Sequence, residues 1–373
     1  MSEPVMLIDQ PNNRGTLYAV VEQDDRVAYF YLYPSELLTT KYSPRPCWLR
    51  NLQPAPATKD VAAMKEGMAP MLEAAYCNHP EGREPLEKER ITIVWTEGEG
   101  DGAAVLYDNE ILGVIPGWSL YNDEHAVAYA ADCTGAGEND RLMPLGKRGA
   151  NAMYERVDQA IAFWKDWEGE TSQAWSILQD RYLKAYEAEF GPIQKYYAID
   201  GGQWPPMALG KFEKDEVVYL LTLGVSIRPM PWVELLYSDR APGFRRMELA
   251  MAVSSKDFTD KEIMAMAGLM SDMADRPWKQ VTWLGEGHTV SSGELPAPFE
   301  SVVVSSALYN GPAIGLPEVY GDKVNLYWLA PITKLEREYA HSRPNAGYDL
   351  LEKMIHHNLN HIVTRRPELP ADK

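Results

Sequence analysis

Residues 322–354, which read DKVNLYWLAPITKLEREYAHSRPNAGYDLLEKM, decide how the second half of the chain folds. Residues 323–329 have a two-residue period with apolar side chains on both faces, which predicts a strand that is covered on both sides and central in its sheet. Pro331 cannot donate to a strand ladder and is expected to end this strand. Thr333 and Glu336 have the spacing of a capping box, which predicts that a helix begins here. After a Pro-Asn-Ala-Gly break, helical spacing of apolar residues predicts an amphipathic closing helix; these residues are Tyr348, Leu351, Met354, Ile355, Leu359 and Ile362.

The size of the chain predicts more than one domain. Its 373 residues exceed what a single hydrophobic core usually supports, so two domains are expected. The 45% of hydrophobic and 24% of charged residues are ordinary for a soluble globular protein.

The charge of the chain bears on its partners. It has 54 acidic against 36 basic residues and a formal charge of −18. Nucleic-acid binding needs clustered Lys and Arg, so this balance argues against a nucleic-acid partner. An acidic face accelerates the approach of a basic protein, which favours a basic partner. Solubility alone explains the same charge, and both interpretations stay open.

The cysteines and the apolar runs bear on the compartment. Cys47, Cys77 and Cys133 are odd in number and far apart in sequence, which suits buried thiols in a reducing compartment. No uncharged apolar run approaches the ~20 residues of a membrane span. The first residues are acidic where a signal peptide is basic. We therefore expect a cytoplasmic protein without membrane contact.

Strand signals dominate the first half of the chain. Residues 15–33 alternate around a polar EQDDR turn, which predicts a hairpin, and residues 90–115 predict a meander of three strands. These patterns predict a strand-rich α+β domain over residues 1–150. Residues 151–190 predict a helical connector of two helices.

The second half, residues 191–373, predicts another α+β domain. Thr259 and Glu262 form a second capping box, which predicts a Met-rich helix packed on the core. Strands are predicted at residues 216–223, 232–237, 245–253, 280–284 and 302–306. The predicted fold class is therefore α+β with two domains, each a mixed or antiparallel sheet with helices packed against it.

The sequence offers no catalytic signature. His357 and His361 have the four-residue spacing of two zinc ligands, but no Glu follows the first His and no third ligand is near. Residues 97–108 superficially mimic a calcium loop, but the last position carries Asp108 where a bidentate Glu is needed. We therefore predict no catalytic residue, no metal site and no cofactor.

The order of the segments in the second half resembles the suppressor-of-fused domain family in its bacterial form. The matching parts are the Leu223-Gly224-Val225-Ser226 turn, the Arg246-Met247-Glu248-Leu249 strand, the Trp283-to-His288 loop entry, and the Val324-to-Glu336 block with Leu350-Leu351. The resemblance covers about residues 175–355. It implies an α+β fold and a non-catalytic protein-binding role, which in bacterial members is expected to be that of an immunity protein against toxins that are often nucleases.

Four residues are predicted to contact a partner: Trp283, His288, Asn325 and Glu248. The expected partner is a basic, nuclease-like toxin or a peptide segment, bound by strand addition at an exposed sheet edge. Each residue also has a structural interpretation, in which Trp283 is core, Asn325 fastens a turn and Glu248 pairs with Arg245 or Arg246. One alternative is a hydrolase or small-ligand-binding protein with a pocket under the His288 loop between the lobes. Another is a structural module that dimerises through its tryptophans.

Overall fold

The structure, a computed structural model, describes residues 3–59, 61–96, 100–121, 127–135, 141–168 and 172–369. The chain has the predicted α+β class and forms two compact units, Met1–Gly169 and Glu170–Lys373. Helix α2 (Ala152–Trp167) falls in the first unit and helix α3 (Ala174–Phe190) in the second. The domain boundary at residue 150 with a connector over residues 151–190 stays a prediction.

The first unit contains two sheets. The order of the first is β1-β2-β3-β4 and of the second β5-β6-β7-β8-β9. All pairs are antiparallel except β8 with β9. The strands are β1 (Val5–Pro11), β2 (Leu17–Gln23), β3 (Val27–Pro34), β4 (Arg45–Asn51), β5 (Ile91–Trp95), β6 (Ala103–Tyr107), β7 (Glu110–Ile115), β8 (Ala128–Ala130) and β9 (Leu142–Pro144), with the short helix α1 (Val61–Lys65) between β4 and β5. The predicted hairpin and the predicted meander are confirmed.

The core of the first unit follows from strand alternation. Residues of β2, β3, β4, β5 and β6 that point inward form one apolar cluster, in which Leu17 and Phe30 have no exposed surface. Helix α2 places Val157 and Ala160 on a second cluster with residues of β5, β6 and β7. Cys47, Cys77 and Cys133 are buried.

The second unit is built on one seven-stranded sheet of order β10-β11-β12-β13-β16-β15-β14. Strands β13 and β16 run parallel and the other pairs are antiparallel, so the sheet is mixed. The strands are β10 (Lys195–Ala198), β11 (Ala208–Lys214), β12 (Val217–Leu223), β13 (Arg246–Ser254), β14 (Thr289–Ser291), β15 (Phe299–Ser305) and β16 (Val324–Thr333). The helices after α3 are α4 (Val233–Tyr237), α5 (Asp260–Ala274), α6 (Arg276–Lys279), α7 (Lys334–Ala340) and α8 (Ala346–His356).

Strand β16 has the predicted inner place in this sheet. Tyr327 and Leu329 join the cluster under α5, and Ala330 and Ile332 join the cluster under α8, so both faces are covered. The expectation that Pro331 ends the strand is wrong. Strand β13 pairs with β16 only as far as Trp328. Beyond that point β16 has only β15 beside it, and the Pro331 carbonyl accepts a hydrogen bond from Arg366 Nη2 at 3.3 Å.

Both predicted capping boxes are confirmed, at Thr259 with Glu262 and at Thr333 with Glu336. The closing helix is shorter than predicted, because it ends at His356. The predicted strand over residues 280–284 is absent, and Val281 there has a φ of +46°. In place of the predicted strand over residues 232–237, the structure has helix α4, which begins after Trp232 at a φ of +71°.

None of the helices in the described part of the chain is both long enough and apolar enough to cross a membrane.

Candidate functional site

A buried carboxylate fixes the turn that follows β12. Glu248 has no exposed surface. Its carboxylate accepts hydrogen bonds from Thr222 Oγ1 at 2.7 Å, Gly224 N at 2.9 Å, Ser226 N at 3.1 Å and Ser226 Oγ at 2.7 Å. Burial raises the pKa of Glu248, and these hydrogen bonds act in the opposite direction. The turn needs a glycine, because Gly224 has a φ of +94° and a Cβ there would collide with the Pro206 carbonyl.

Glu248 therefore acts inside the fold and presents no side-chain surface to a partner. Its structural interpretation as an ion-pair partner of Arg245 or Arg246 differs from the geometry of the described residues, in which both arginines bind Asp322. Tyr182 Oη lies 2.8 Å from Ser226 Oγ, and Tyr186 Oη donates to the Thr222 carbonyl at 2.9 Å. The turn, the sheet and helix α3 are thereby joined through one polar network.

The two arginines at the start of β13 bind an aspartate instead. Arg246 Nε donates to Asp322 Oδ2 at 2.6 Å, and Arg245 Nε donates to the same oxygen at 2.8 Å. The Arg246 side chain is 0% exposed and that of Asp322 is 3% exposed. Arg246 Nη1 also donates to the Ile227 carbonyl at 2.6 Å. Buried charges are tolerated only when they are paired and hydrogen-bonded. The Arg246–Asp322 pair therefore holds the start of β13 beside the turn that follows β12.

Asn325 also stabilises the start of β13. Its Nδ2 donates to the Gly243 carbonyl at 2.9 Å and to the Arg246 carbonyl at 3.2 Å. The side chain is half-buried. The structural interpretation of Asn325 as a turn partner matches this geometry, and its contact with a partner stays a prediction.

Trp283 and His288 belong to a group of half-buried rings, and Trp283 packs against the main core of the second unit, as its structural interpretation expects. The Trp283 ring meets the His288 ring edge-on at 4.4 Å and the Tyr237 ring edge-on at 5.7 Å. Tyr237 stacks on Phe244 at 4.2 Å. Burial lowers the pKa of His288, whereas a hydrogen bond with the Trp283 backbone favours the charged form. We call Tyr237, Phe244, Trp283, His288 and the neighbouring Tyr348 the aromatic surface.

Part of the aromatic surface was missed from the sequence. The alternation in WVELLY predicts a strand, but these residues form helix α4 and leave Leu235 and Leu236 38% and 45% exposed beside Tyr237. The Tyr348 side chain is 46% exposed, although its helical spacing predicted a core position. The aromatic composition of these segments was the available signal, but only the fold brings their rings together.

The loop that carries His288 is held tightly on α8. A Cβ on Gly347 would collide with the Gly287 carbonyl, so the two backbones approach more closely than other residues allow. The Gly287 amide donates to the Val304 carbonyl at 2.8 Å, and the Val304 amide donates to the His288 carbonyl at 2.8 Å. These contacts keep the loop rigid from both ends.

Strand β14 follows directly after His288 and is the last strand of the sheet. The backbone bonds from Val304 N to His288 O and from Ser292 N to Glu300 O show that every second residue faces β15. The amide and carbonyl groups of Thr289 and Ser291 therefore point to the open side. Thr289 Oγ1 lies 2.6 Å from His341 Nε2. At the other end of the strand, the Ser291 hydroxyl accepts a hydrogen bond from the Ser301 hydroxyl at 3.5 Å.

The candidate metal sites do not form in the described part of the chain. Helix α8 ends before His357, and His361 Nδ1 lies 3.2 Å from the Ala307 carbonyl. Asp108 pairs with Arg90, whose Nε donates to it at 2.9 Å. Residues 97–99 of the calcium-like loop lie outside the described residues. Among the described residues, no group of three or more His, Cys, Asp or Glu is placed to hold a metal ion.

Comparison with known proteins supports the resemblance. Residues 202–366 match the family model of the Suppressor of fused protein (SUFU), which confirms the resemblance over that part of the chain. A chain of "the Sufu-Fu complex crystal structure" matches with a TM-score of 0.35 and 15% identity, over 52% of this chain and 91% of that chain.

The "Crystal structure of Drosophila Suppressor of Fused" matches with a TM-score of 0.31 and 14% identity, over 47% of this chain. The matched part spans 45% of that Drosophila chain, which is less than half of its length. The search of curated proteins found no match.

Proposed function

We propose that this protein, whose residues 202–366 match the Suppressor of fused family, is a non-catalytic protein-binding protein. The observation that carries the proposal is the half-exposed aromatic surface beside the open edge of β14. Aromatic side chains supply much contact area at small entropic cost, and they dominate the binding energy of protein interfaces. The close approach of Gly287 and Gly347 holds the loop that carries His288 in this surface.

The open edge of β14 offers a second kind of contact. An extended segment of the partner adds to the sheet through the outward backbone groups of Thr289 and Ser291. Its side chains then reach the rings of Trp283 and His288, which precede the strand. Backbone bonds supply affinity in this mode, and side-chain pockets supply specificity.

The partner that best fits the charge is a basic protein. The formal charge of −18 suits the basic active-site face of a nuclease-like toxin, and we propose an immunity-type role in which binding neutralises that toxin in the bacterial cytoplasm. The hydrolase alternative needs a carboxylate of raised pKa beside His288. The buried carboxylate of raised pKa, Glu248, has its hydrogen bonds within the turn after β12. The aromatic surface thus fits a bound polypeptide better than a reacting substrate.

Co-purification tests the function as a whole. The untagged chain, expressed together with the protein encoded by the neighbouring gene, is expected to retain a basic partner. The association rate is expected to fall steeply as the salt rises from about 0.05 to about 0.3 M, because the Debye length shortens. Turnover in a hydrolase screen, with no partner bound even at low salt, contradicts the proposal.

Substitution of Trp283 tests the surface. Trp283→Ala is expected to weaken the complex by about 2 kcal/mol, roughly 30-fold, because a central aromatic anchor is removed. The matched control is Ile177→Ala on helix α3, where Ile177 is 55% exposed. Equal affinities for both variants place the partner elsewhere.

Substitution of Ser291 tests strand addition. Ser291→Pro removes the outward amide without touching the bonds to β15, and the loss of one backbone hydrogen bond is expected to cost about 1 kcal/mol of affinity, roughly fivefold. Ser291→Ala keeps the amide and serves as the control. If both variants bind equally, the partner does not extend the sheet at β14.

A further inference from the structure

One face of the β1–β4 sheet in the first unit carries a row of tyrosines. Tyr31 and Tyr33 are half-buried, whereas Tyr29 is buried and its Oη donates to the Pro70 carbonyl at 2.6 Å. On β2 and β3, Leu17, Ala19, Val21, Ala28, Phe30 and Leu32 are 0% exposed and point into the core. The alternate residues point to the other face. On β3 these are Tyr29, Tyr31 and Tyr33, whose neighbouring ring centroids lie 5.5 and 5.4 Å apart.

The neighbouring strand extends this ladder. Cross-strand partners are Tyr18 with Tyr33, Val20 with Tyr31, and Glu22 with Tyr29. The Glu22 carboxylate accepts a hydrogen bond from Tyr31. We call Tyr18, Glu22, Tyr29, Tyr31 and Tyr33 the tyrosine face.

Two open cavities are lined in part by residues of the tyrosine face. One of about 670 Å³ is lined by Tyr18, Tyr33 and the exposed Leu37, and one of about 330 Å³ is lined by Tyr29 and Tyr31. Glu22 lines both, so the cavities adjoin. Both volumes lie in the range of ligand-binding clefts. We call the two adjoining cavities together the trough.

The trough is negatively charged. Asp9 and Glu36 line the larger cavity, Asp24 lines the smaller one and Glu22 lines both, and no Lys or Arg of the described residues lines either. Asp24 is paired with Arg26 at 2.7 Å. The side chains of Asp9 and Glu36 have no ion-pair partner within the described part of the chain. Their charge is therefore available to a bound cation.

We propose that the tyrosine face binds an arginine-bearing, extended segment of a partner protein. A guanidinium group stacks on tyrosine rings and pairs with carboxylates at the same time, which an ammonium group does less well. The exposed Met6 and Leu37 at the rim give apolar contact to the stem of such a side chain. The surface lies in the first unit, outside residues 202–366, so this inference does not depend on the aromatic surface of the second unit.

The test uses the full chain and a fluorescein-labelled peptide of alternating arginine and glycine, with fluorescence anisotropy as the readout. We expect saturable binding that is at least about threefold tighter than for the lysine–glycine peptide of equal charge, because guanidinium stacks better on rings. The glutamate–glycine peptide is expected not to bind. Equal affinities for the arginine and lysine peptides contradict recognition by the rings.

Two sets of variants locate the site. Tyr31→Ser with Tyr33→Ser is expected to weaken arginine-peptide binding at least about tenfold through the loss of ring contacts, whereas Tyr31→Phe with Tyr33→Phe keeps it. The phenylalanine pair also keeps the proposal testable if the serine pair unfolds.

The second set of variants compares the removal of carboxylates at the tyrosine face with the removal of carboxylates elsewhere in the first unit. Asp9→Asn with Glu36→Gln is expected to weaken binding about fivefold, because two nearby opposite charges are removed. Glu81→Gln with Glu89→Gln removes the same charge from exposed sites elsewhere in the first unit and is expected to change affinity less than twofold. Equal losses in both pairs overturn the proposal in favour of binding by net charge. The proposal is also overturned if the natural chain is a dimer and Tyr33→Ser makes it a monomer, because a second copy of the chain then occupies the tyrosine face.

Discussion

The two units use charged residues in opposite ways. In the second unit, Arg246, Glu248 and Asp322 are buried; Arg246 binds Asp322, and Glu248 binds the turn after β12. In the first unit, the carboxylates of Asp9 and Glu36 lie at the surface beside a ladder of tyrosines. The difference teaches that Arg246 and Glu248, which lie in a segment that carries the family resemblance, belong to a buried scaffold, whereas the tyrosine face consists of side chains outside the segments of that resemblance.

The physical reason lies in the cost of burying polar groups. A buried charge must keep its partners, so the turn around Gly224 and Ser226 tolerates little change in sequence. A ring on a half-exposed sheet face has no such constraint, and its identity follows the ligand. The contrast predicts large stability effects in the scaffold and small ones on the tyrosine face.

Arg246→Ala is expected to give the largest effect. It leaves Asp322 buried with the loss of its closest partner, which costs about 3–5 kcal/mol of unfolding free energy. Urea unfolding followed by circular dichroism measures the change. Lys184→Ala is the control, since Lys184 pairs with Asp180 at 2.6 Å but is 73% exposed, and less than about 0.5 kcal/mol is expected. If both variants lose similar unfolding free energy, the buried Arg246–Asp322 pair stabilises the fold no more than an exposed ion pair does.

Glu248→Ala is expected to cost about 2–3 kcal/mol, because the amides of Gly224 and Ser226 and two hydroxyl groups lose their acceptor in the core. The same unfolding experiment measures this loss. Glu352→Ala on the exposed side of helix α8 is the control and is expected to change little. A loss no larger than in the control means that the turn does not depend on the carboxylate.

The pH dependence at Glu248 sharpens this result. The folded-state pKa is raised above its ordinary value of 4.5, because burial disfavours the charged form more than the hydrogen bonds favour it. The stability that this contributes is complete below 4.5 and is lost as the pH rises through the raised pKa. We therefore expect the stability of the natural chain relative to Glu248→Gln to fall with rising pH above 4.5. A relative stability that rises instead shows that the hydrogen bonds outweigh burial.

Gly347→Ala is expected to cost about 1–3 kcal/mol, because the new methyl group collides with the Gly287 carbonyl and displaces the loop that carries His288. Thermal unfolding measures the loss. Gly293→Ala is the matched control, since a Cβ there meets nothing within 4 Å. A tolerated Gly347→Ala shows that the loop is free to shift and that the aromatic surface lacks the rigid support assigned to it.

Periodicity predicted the elements whose two faces differ clearly. The hairpin of residues 15–33, strand β16 and both capping boxes depend on local spacing, and the sequence shows that spacing directly. Residues 232–237 alternate like a strand but follow Pro229 and Pro231, and tertiary packing makes them helical. Local patterns carry no information about such packing.

The candidate surfaces were harder to predict for the same reason. Trp283 and His288 come from the family resemblance, and the structure shows their rings in contact. Tyr237 and Tyr348 join them from distant helices, and no spacing in the sequence links them. The alternation of the tyrosines of β3 is visible in the sequence. Only the cross-strand register of the structure shows that Glu22 and Tyr18 lie on the same face as these tyrosines.

Tyr33→Ser is expected to give the smallest change in stability and so completes the comparison. Tyr33 is half-buried and pairs across the strands with Tyr18, so the substitution removes one cross-strand contact worth less than about 1 kcal/mol. Urea unfolding measures this value beside that of Arg246→Ala. If Tyr33→Ser destabilises the protein as strongly as Arg246→Ala, the tyrosine face is packed core and its rings are not available to a partner. A small loss of stability, together with a large loss of arginine-peptide affinity, shows that the Tyr33 ring acts in binding and contributes little to the fold.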